Sequence, residues 1–308
     1  MQISGGVVLS GGVNLAPGSG GSSGGGFQGS NFGYGSGGYG SSLSNTIDKF
    51  SFTSDGNATD VGDLSVTRRI AAGQSSSDNG YTSGGTIPPY VNTIDKFPFA
   101  SDSNASDVGD LTQARGSIAG QSSSNSGYSS GGYADPVGDV NTIDKFPFAS
   151  DANASDAGDL SLARRECAGQ SSSENGYTSG GSSSNTIDKF PFASDGNATD
   201  VGDLTVARGY LSGQSSTSSG YTSGGSGYTN VIDKFPFASD GNATDVGDLT
   251  EGRNAAAGQS STASGYTSGG YNGSQQNVID KFPFASDGNA TDVGDLTEGR
   301  SGIIGQQY

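Results

Sequence analysis

Apolar residues recur along this chain as one short phrase. An Ile is followed at the third position by a Phe, and two residues later by a second Phe, with an Asp-Lys pair between Ile and the first ring. The tetrapeptide Ile-Asp-Lys-Phe begins at Ile47, Ile94, Ile143, Ile187, Ile232 and Ile279, at steps of 47, 49, 44, 45 and 47 residues. Around each copy the order is constant: Gly-Tyr-x-Ser-Gly-Gly, then the Ile-Asp-Lys-Phe-x-Phe phrase, then Asp-x-Gly-Asp-Leu, an Arg, and Gly-Gln five residues after that Arg. A period in the forties with internal turn signals marks a repeat architecture.

One unit reads as four strands. Residues 208–216 are small and polar and suit an innermost strand. Residues 217–219 are a turn, and Tyr221 to Gly225 form a second strand ending in a double Gly, which permits positive φ or close backbone approach. Asn230 to Phe237 form a third strand; Phe235 and Phe237 are two apart, so both rings point to one face. Pro236 cannot donate to a ladder and belongs at a strand end or bulge. Ser239 to Asn242 are turn residues, and Val246 to Thr250 form a short outer strand. A lone blade cannot bury its rings; neighbours must.

The ends select among repeat folds. The first Gly-Tyr-x-Ser-Gly-Gly, at Gly33 to Gly38, lacks a preceding Arg and Gly-Gln segment; the last such segment, Arg300 to Gln306, lacks a following partner. Joined, the two halves complete a sixth unit. An open solenoid needs atypical caps, whereas a ring shares a blade between its ends. The expectation is an all-β, closed six-bladed β-propeller over 32–308, with the C-terminal strand pairing into the N-terminal blade.

The order Arg208, Tyr221, Gly224-Gly225, Asp233-Lys234-Phe235 resembles the kelch repeat family over about residues 32–306. The resemblance implies a kelch-like propeller. Trp, usual on kelch outer strands, is absent, and Leu249 and its equivalents stand in its place.

Composition narrows function. Gly is very high at 55 residues, but strict spacing and fixed aromatic positions argue against disorder within the repeats. The net charge is −17, and twelve of the fourteen cations sit at frame positions where intramolecular pairing uses them; only Arg69 and Arg165 lie outside. No free basic patch remains for nucleic acid or an anionic membrane surface. The single Cys167 excludes an intrachain disulfide and reads as a small buried thiol. No basic segment followed by an apolar run suggests a leader, and no stretch reaches membrane-spanning length. With no His in the chain, imidazole bases, triads and His-bound metals are excluded. Carboxylates repeated in every blade read as structural, so the expectation is a protein that is not an enzyme.

Three sets of residues are candidates for function. The acidic turns, as at Asp55, Asn57 and Asp60, place oxygens at alternate positions; they read as turn chemistry, with calcium as the second reading. Gln74, Gln121, Gln170, Gln214, Gln259 and Gln306 form a polar collar by the channel, either hydrogen-bonded to one another or lining a pore. The loops opposite the acidic turns carry the variation, with Tyr90, Tyr133, Tyr228 and Tyr271, and Tyr210 at the channel mouth. Exposed Tyr on variable loops suits a binding face; drift in unconstrained loops yields the same composition. The Asp-Lys and Arg positions read as inter-blade salt bridges of low individual worth.

Before the repeats, Ile3-Ser-Gly-Gly-Val7-Val-Leu9 is echoed by Leu9-Ser-Gly-Gly-Val13-Asn-Leu15, and residues 17–31 are a Gly/Ser linker. Alternating Ile3, Val7, Leu9, Val13 and Leu15 suggest a docking peptide, residues 1–16, that pairs as a strand with another chain. Such starts joined to polar repetitive domains resemble virion structural proteins of tailed, cyanophage-like phages. That resemblance implies a virion appendage, with other virion proteins and a host-surface glycan or protein as partners. The alternative is a cellular kelch-like scaffold or carbohydrate-binding propeller.

Overall fold

A computed structural model describes residues 28–308 of the chain; the docking residues Ile3, Val7, Leu9, Val13 and Leu15 lie outside the described residues. The described chain contains no helix and folds as six four-stranded antiparallel blades. In blade 2 the order from the axis outward is Ala72–Ser75, Asn79–Ser83, Thr93–Pro98 and Ser106–Asp110. Blade 1 takes its innermost strand, Ile304–Gln307, from the far end of the chain and lays it against Phe32–Ser36. Tyr34 faces Gln306 and Gly35 faces Gly305 in this ladder, so the expected closure is present. Blade 3 carries an added hairpin, Tyr133–Ala134 with Gly138–Asp139. Residues 28–31, read from sequence as linker, are held against the disc: Gly29 N–H donates to Ser260 O at 2.9 Å and Phe52 N–H to Asn31 O at 2.9 Å.

Antiparallel pairing sorts the connections. Turns from first to second strand and the acidic turns from third to fourth lie at one end of the disc. Loops from second to third strand, and the connectors to the next blade, lie at the other.

The blade 5 strands are Ser212–Ser215, Ser219–Ser223, Val231–Pro236 and Thr244–Asp248. Pro236 ends its strand, as expected. The outer strand begins two residues before the expected Val246 and stops short of Leu249. A bulge explains the offset: the register slips between Ile232 and Asp233 opposite Val246. Leu249 then leaves the ladder, gives its N–H to Asn230 O, and packs with Tyr221, Ile232 and Phe282 in a core shared with blade 6.

Ring stacking ties each blade to the next. Tyr177 of blade 4 stacks on Phe237 of blade 5 at 4.7 Å and tilts against Phe235 at 5.6 Å. The same trio recurs around the disc and closes where Tyr266 of blade 6 meets Phe50 and Phe52 of blade 1. A buried side chain of this size contributes roughly 1.5–3 kcal/mol. The Gly preceding each Tyr makes room: a Cβ at Gly220 would lie 2.3 Å from the Phe235 ring across the ladder.

Nearer the axis the Gly of each Gly-Gln pair touches its neighbour. A Cβ at Gly120 would meet Gly73 O at 2.2 Å, and the equivalent contact runs through Gly169, Gly213, Gly258 and Gly305 back to Gly73. Only Gly allows innermost strands this close.

The structure divides the Asp-Lys pair. Each Asp forms a buried ion pair with a frame Arg, as Arg115–Asp144 at 2.9 Å with neither side chain exposed. Each Lys reaches the acidic turn of the next blade, as Lys49–Asp102 at 2.9 Å on the surface. Half of the salt bridges expected to be exposed and weak are therefore interior. Burial pushes the Arg68 and Arg115 guanidiniums below their usual range, and Asp95 and Asp144 oppose that push.

Candidate functional site at the channel mouth

Two residues after each frame Arg, the connector enters the left-handed region. Ile70, Ser117, Glu166, Tyr210, Ala255 and Gly302 have φ between 48° and 64°. Their backbones form a closed circle. Ser117 N–H donates to Ile70 O, Glu166 to Ser117, Tyr210 to Glu166, Ala255 to Tyr210, Gly302 to Ala255, and Ile70 to Gly302, at 2.7–3.0 Å. The circle surrounds the axis at the loop end of the channel. Left-handed backbone costs an L-residue roughly 1–2 kcal/mol, and a β-branched Ile is among the least suited to it. Five of the six positions bear that cost, and no two carry the same side chain.

The next residues, Ala71, Ile118, Cys167, Leu211, Ala256 and Ile303, are buried and floor a cavity of about 70 Å³ under this rim. Cys167 thus occupies an apolar floor position, and burial pushes its thiol up to about 11. Farther along the axis come cavities of about 100 Å³, walled by Ala and Gly, and about 60 Å³, walled by Gly, Gln and Ser. At the opposite end, the Gln28 amide donates to Ser215 O at 2.7 Å, so the strand entering blade 1 passes across that rim.

The six Gln sit on the innermost strands, but their side chains turn into the blade interfaces and are no more than 1% exposed. Gln74 Nε2 donates to Tyr128 O of the next blade at 2.8 Å, and Gln306 Nε2 to Tyr81 O at 3.0 Å. The expected bonding of Gln to Gln is replaced by bonding of Gln to the neighbouring backbone. Blades stand radially, so side chains perpendicular to a sheet point at adjacent blades, not at the axis.

The acidic-turn residues are not brought together. Asp55 pairs with Lys281 at 3.0 Å, Asn57 Oδ1 accepts from Asp295 N–H, and Asp60 Oδ1 accepts from Gly62 N–H within the outer strand Thr59–Asp63. Among the described residues, no group of three or more His, Cys, Asp or Glu is arranged to hold a metal ion.

The tyrosine candidates fall into two pairs and one rim residue. Tyr90 and Tyr133 lie 5.6 Å apart, Tyr228 and Tyr271 lie 5.9 Å apart, and Tyr210 belongs to the left-handed circle. Beside the first pair stand the two cations outside the repeat frame. Arg165 lies over the Tyr133 ring at 4.9 Å and contacts Glu166 at 3.2 Å and Asp139 at 3.6 Å. Arg69 lies over the Tyr39 ring at 5.2 Å. Burial, then the adjacent Glu166 carboxylate, pushes the Tyr210 phenol up to about 12. Arg69 and Arg165 were visible in sequence as the two cations outside the frame; their placement at the mouth was not.

No protein-family model matches the chain, and a search of curated proteins finds no match. The fold is one that suits a scaffold for interactions.

Proposed function

We propose that the protein is a non-enzymatic binding scaffold that meets its partner with the loop end of the disc. The carrying observation is the circle of left-handed residues: one backbone arrangement, kept at a steric cost at five of its six positions, where it displays five different side chains amid otherwise near-identical repeats. Strained backbone concentrates where function requires it. The acidic end shows the reverse, with the same turn repeated in every blade and its Lys, Asp and Asn side chains engaged between blades.

In its finer form the proposal is a virion appendage. Residues 1–16 dock the disc on a larger particle, and the loop end contacts a host-surface glycan or protein. The Ser-Gly-Gly-Val echo at residues 4–7 and 10–13 supports that assignment. This reading assigns no catalysis: in every blade Arg holds the frame Asp and Lys holds an acidic-turn Asp, and the lone thiol is buried.

Two deletions of function test the reading. A chain lacking residues 1–16 is expected to fold and to fail incorporation into particles; normal incorporation overturns the docking role. A variant with Tyr90, Tyr133 and Tyr210 changed to Ala is expected to incorporate normally and lose surface attachment. Unchanged attachment overturns the loop-end role.

A further inference from the structure

Every Lys and Arg except Arg69 has a carboxylate at ion-pair distance among the described residues. Residues 1–27 contain no Asp or Glu to supply one. In a chain of net charge −17, one guanidinium has been left unneutralised. It is also held in place. Its backbone pairs with Thr86 on both sides, Arg69 N–H to Thr86 O and Thr86 N–H to Arg69 O, and its side chain lies on Tyr39.

The surroundings supply aromatic faces and hydroxyl partners. Tyr90 and Tyr133 pack together, and Tyr210 and Ser117 rise from the rim beside Glu166. Thr86 bridges both Arg69 and Tyr90, Arg165 lies over Tyr133, and Tyr210 follows Glu166 in the circle, which places both cations beside these rings.

We propose that this side of the mouth binds a saccharide unit bearing one carboxylate, with Arg69 taking the carboxylate and Tyr90, Tyr133 and Tyr210 taking ring faces and hydroxyls. The proposal rests on the loop-end binding role and names its ligand. A guanidinium meets a carboxylate through two parallel N–H donors. Glu166 and Asp139 more than balance Arg165, so with Arg69 these four groups sum to zero, and Arg69 is the one charge among them with no opposite charge at ion-pair distance. A dense polyanion, such as an acidic peptide, is repelled by the acidic disc beyond that one charge. A neutral sugar leaves Arg69 unused. A carboxylate spaced among hydroxyls uses every group present.

The test is calorimetric titration of the full chain with a uronic-acid oligosaccharide, with the same oligosaccharide after its carboxyls are reduced to alcohols, and with an Asp-rich peptide. Carboxyl reduction is expected to weaken binding about tenfold, the worth of one charged hydrogen-bonded contact. Arg69→Gln is expected to bind both saccharides alike, at the affinity of the reduced one. Arg69→Lys, which keeps the charge but not the fork, is expected to fall between. Each variant's thermal unfolding is compared with that of the parent chain. Indifference to carboxyl reduction, an undiminished preference in Arg69→Gln, or binding of the peptide but neither saccharide overturns the proposal. If Arg69→Gln attaches to the host surface normally while the triple Tyr variant does not, the ligand assignment fails and the loop-end role stands. If both attach normally, the loop-end role fails as well.

Discussion

Arg68 and Asp95 meet at 2.7 Å with neither side chain exposed, and they belong to different links of the chain. Arg68 lies on the connector leaving blade 1, whereas Asp95 lies on the third strand of blade 2. The same carboxylate accepts from Ser65 N–H at 2.8 Å and from Ser65 Oγ at 2.6 Å. Asp95 therefore clamps the entering chain at two points and fixes how far one blade is rotated from the last. Removing one partner strands a buried charge, at a cost of about 3–5 kcal/mol. Asp95→Ala is expected to lose that much in urea unfolding, and Arg68→Met combined with Asp95→Leu is expected to lose less than either change alone. A surface-sized effect in Asp95→Ala would show that the clamp carries no such weight.

The Gly circle predicts a sharp positional contrast. A Cβ at Gly120 would lie 2.2 Å from Gly73 O, a backbone atom that cannot turn aside; at Gly241, on an acidic turn, it would meet nothing within 4 Å. Gly120→Ala is expected to destabilise the disc by roughly 1–3 kcal/mol or more, as overpacked sites do. Gly241→Ala is expected to leave the unfolding midpoint nearly unchanged. Equal midpoints for the two variants would show that the innermost strands move apart freely.

Closure through the last strand is testable in pieces. Ile304–Gln307 supplies the inner edge of blade 1, and Gln306 ties that blade to Tyr81 of blade 2. A chain ending at residue 303 leaves Phe32–Ser36 as an open edge and removes one inter-blade contact surface. It is expected to melt at lower temperature and to bind hydrophobic dye. A synthetic peptide of residues 304–308, added in excess, is expected to raise the melting temperature in proportion to its occupancy. No response to the peptide would mean that closure contributes little.

Much of this architecture was legible because a repeat states each rule several times. Tyr34 and the Phe97–Phe99 pair are far apart in sequence, yet their spacing within the unit places them on touching faces. The termini could be matched because each held half of a unit. The partner of each charge was not legible. Asp48 and Lys49 are adjacent, but adjacent strand residues point to opposite faces, so one enters the core and the other the surface. The left-handed circle gave no signal for a physical reason: positive φ is ordinarily marked by Gly, and only Gly302 of the six is one. A backbone hydrogen-bond ring imposes the conformation instead, and it acts on any side chain.

Alkaline pH should loosen the disc. Burial raises the phenols of Tyr81, Tyr128, Tyr221 and Tyr266 and takes Tyr177 up to about 12 from the ordinary 10.0. A pKa higher in the folded than in the unfolded state means that folding favours the neutral phenol. That stabilisation is complete below pH 10 and fades as pH rises from 10 toward 12. Urea midpoints are expected to hold level up to about pH 9 and to fall above pH 10, with tyrosinate absorbance appearing together with unfolding. Tyr177→Phe is expected to fall less steeply. Tyrosinate absorbance that rises fully near pH 10 in a folded disc would contradict this.

The last prediction separates strain from contact. Ala255 sits at φ 53° with a single methyl group, next after Tyr210 in the circle. Glycine reaches that conformation freely, while an L-residue bears roughly 1–2 kcal/mol. Against this stands the greater freedom of Gly in the unfolded chain, roughly 0.5–1 kcal/mol. Ala255→Gly is therefore expected to raise stability slightly, by up to about 1 kcal/mol in urea unfolding, with ligand binding unchanged. Tyr210→Gly relieves the same strain but removes a ring from the mouth, and it is expected to weaken attachment while the disc remains folded. If Ala255→Gly destabilises the disc by about 1 kcal/mol, the circle holds its conformation without strain, and the cost that marks this rim as functional is absent.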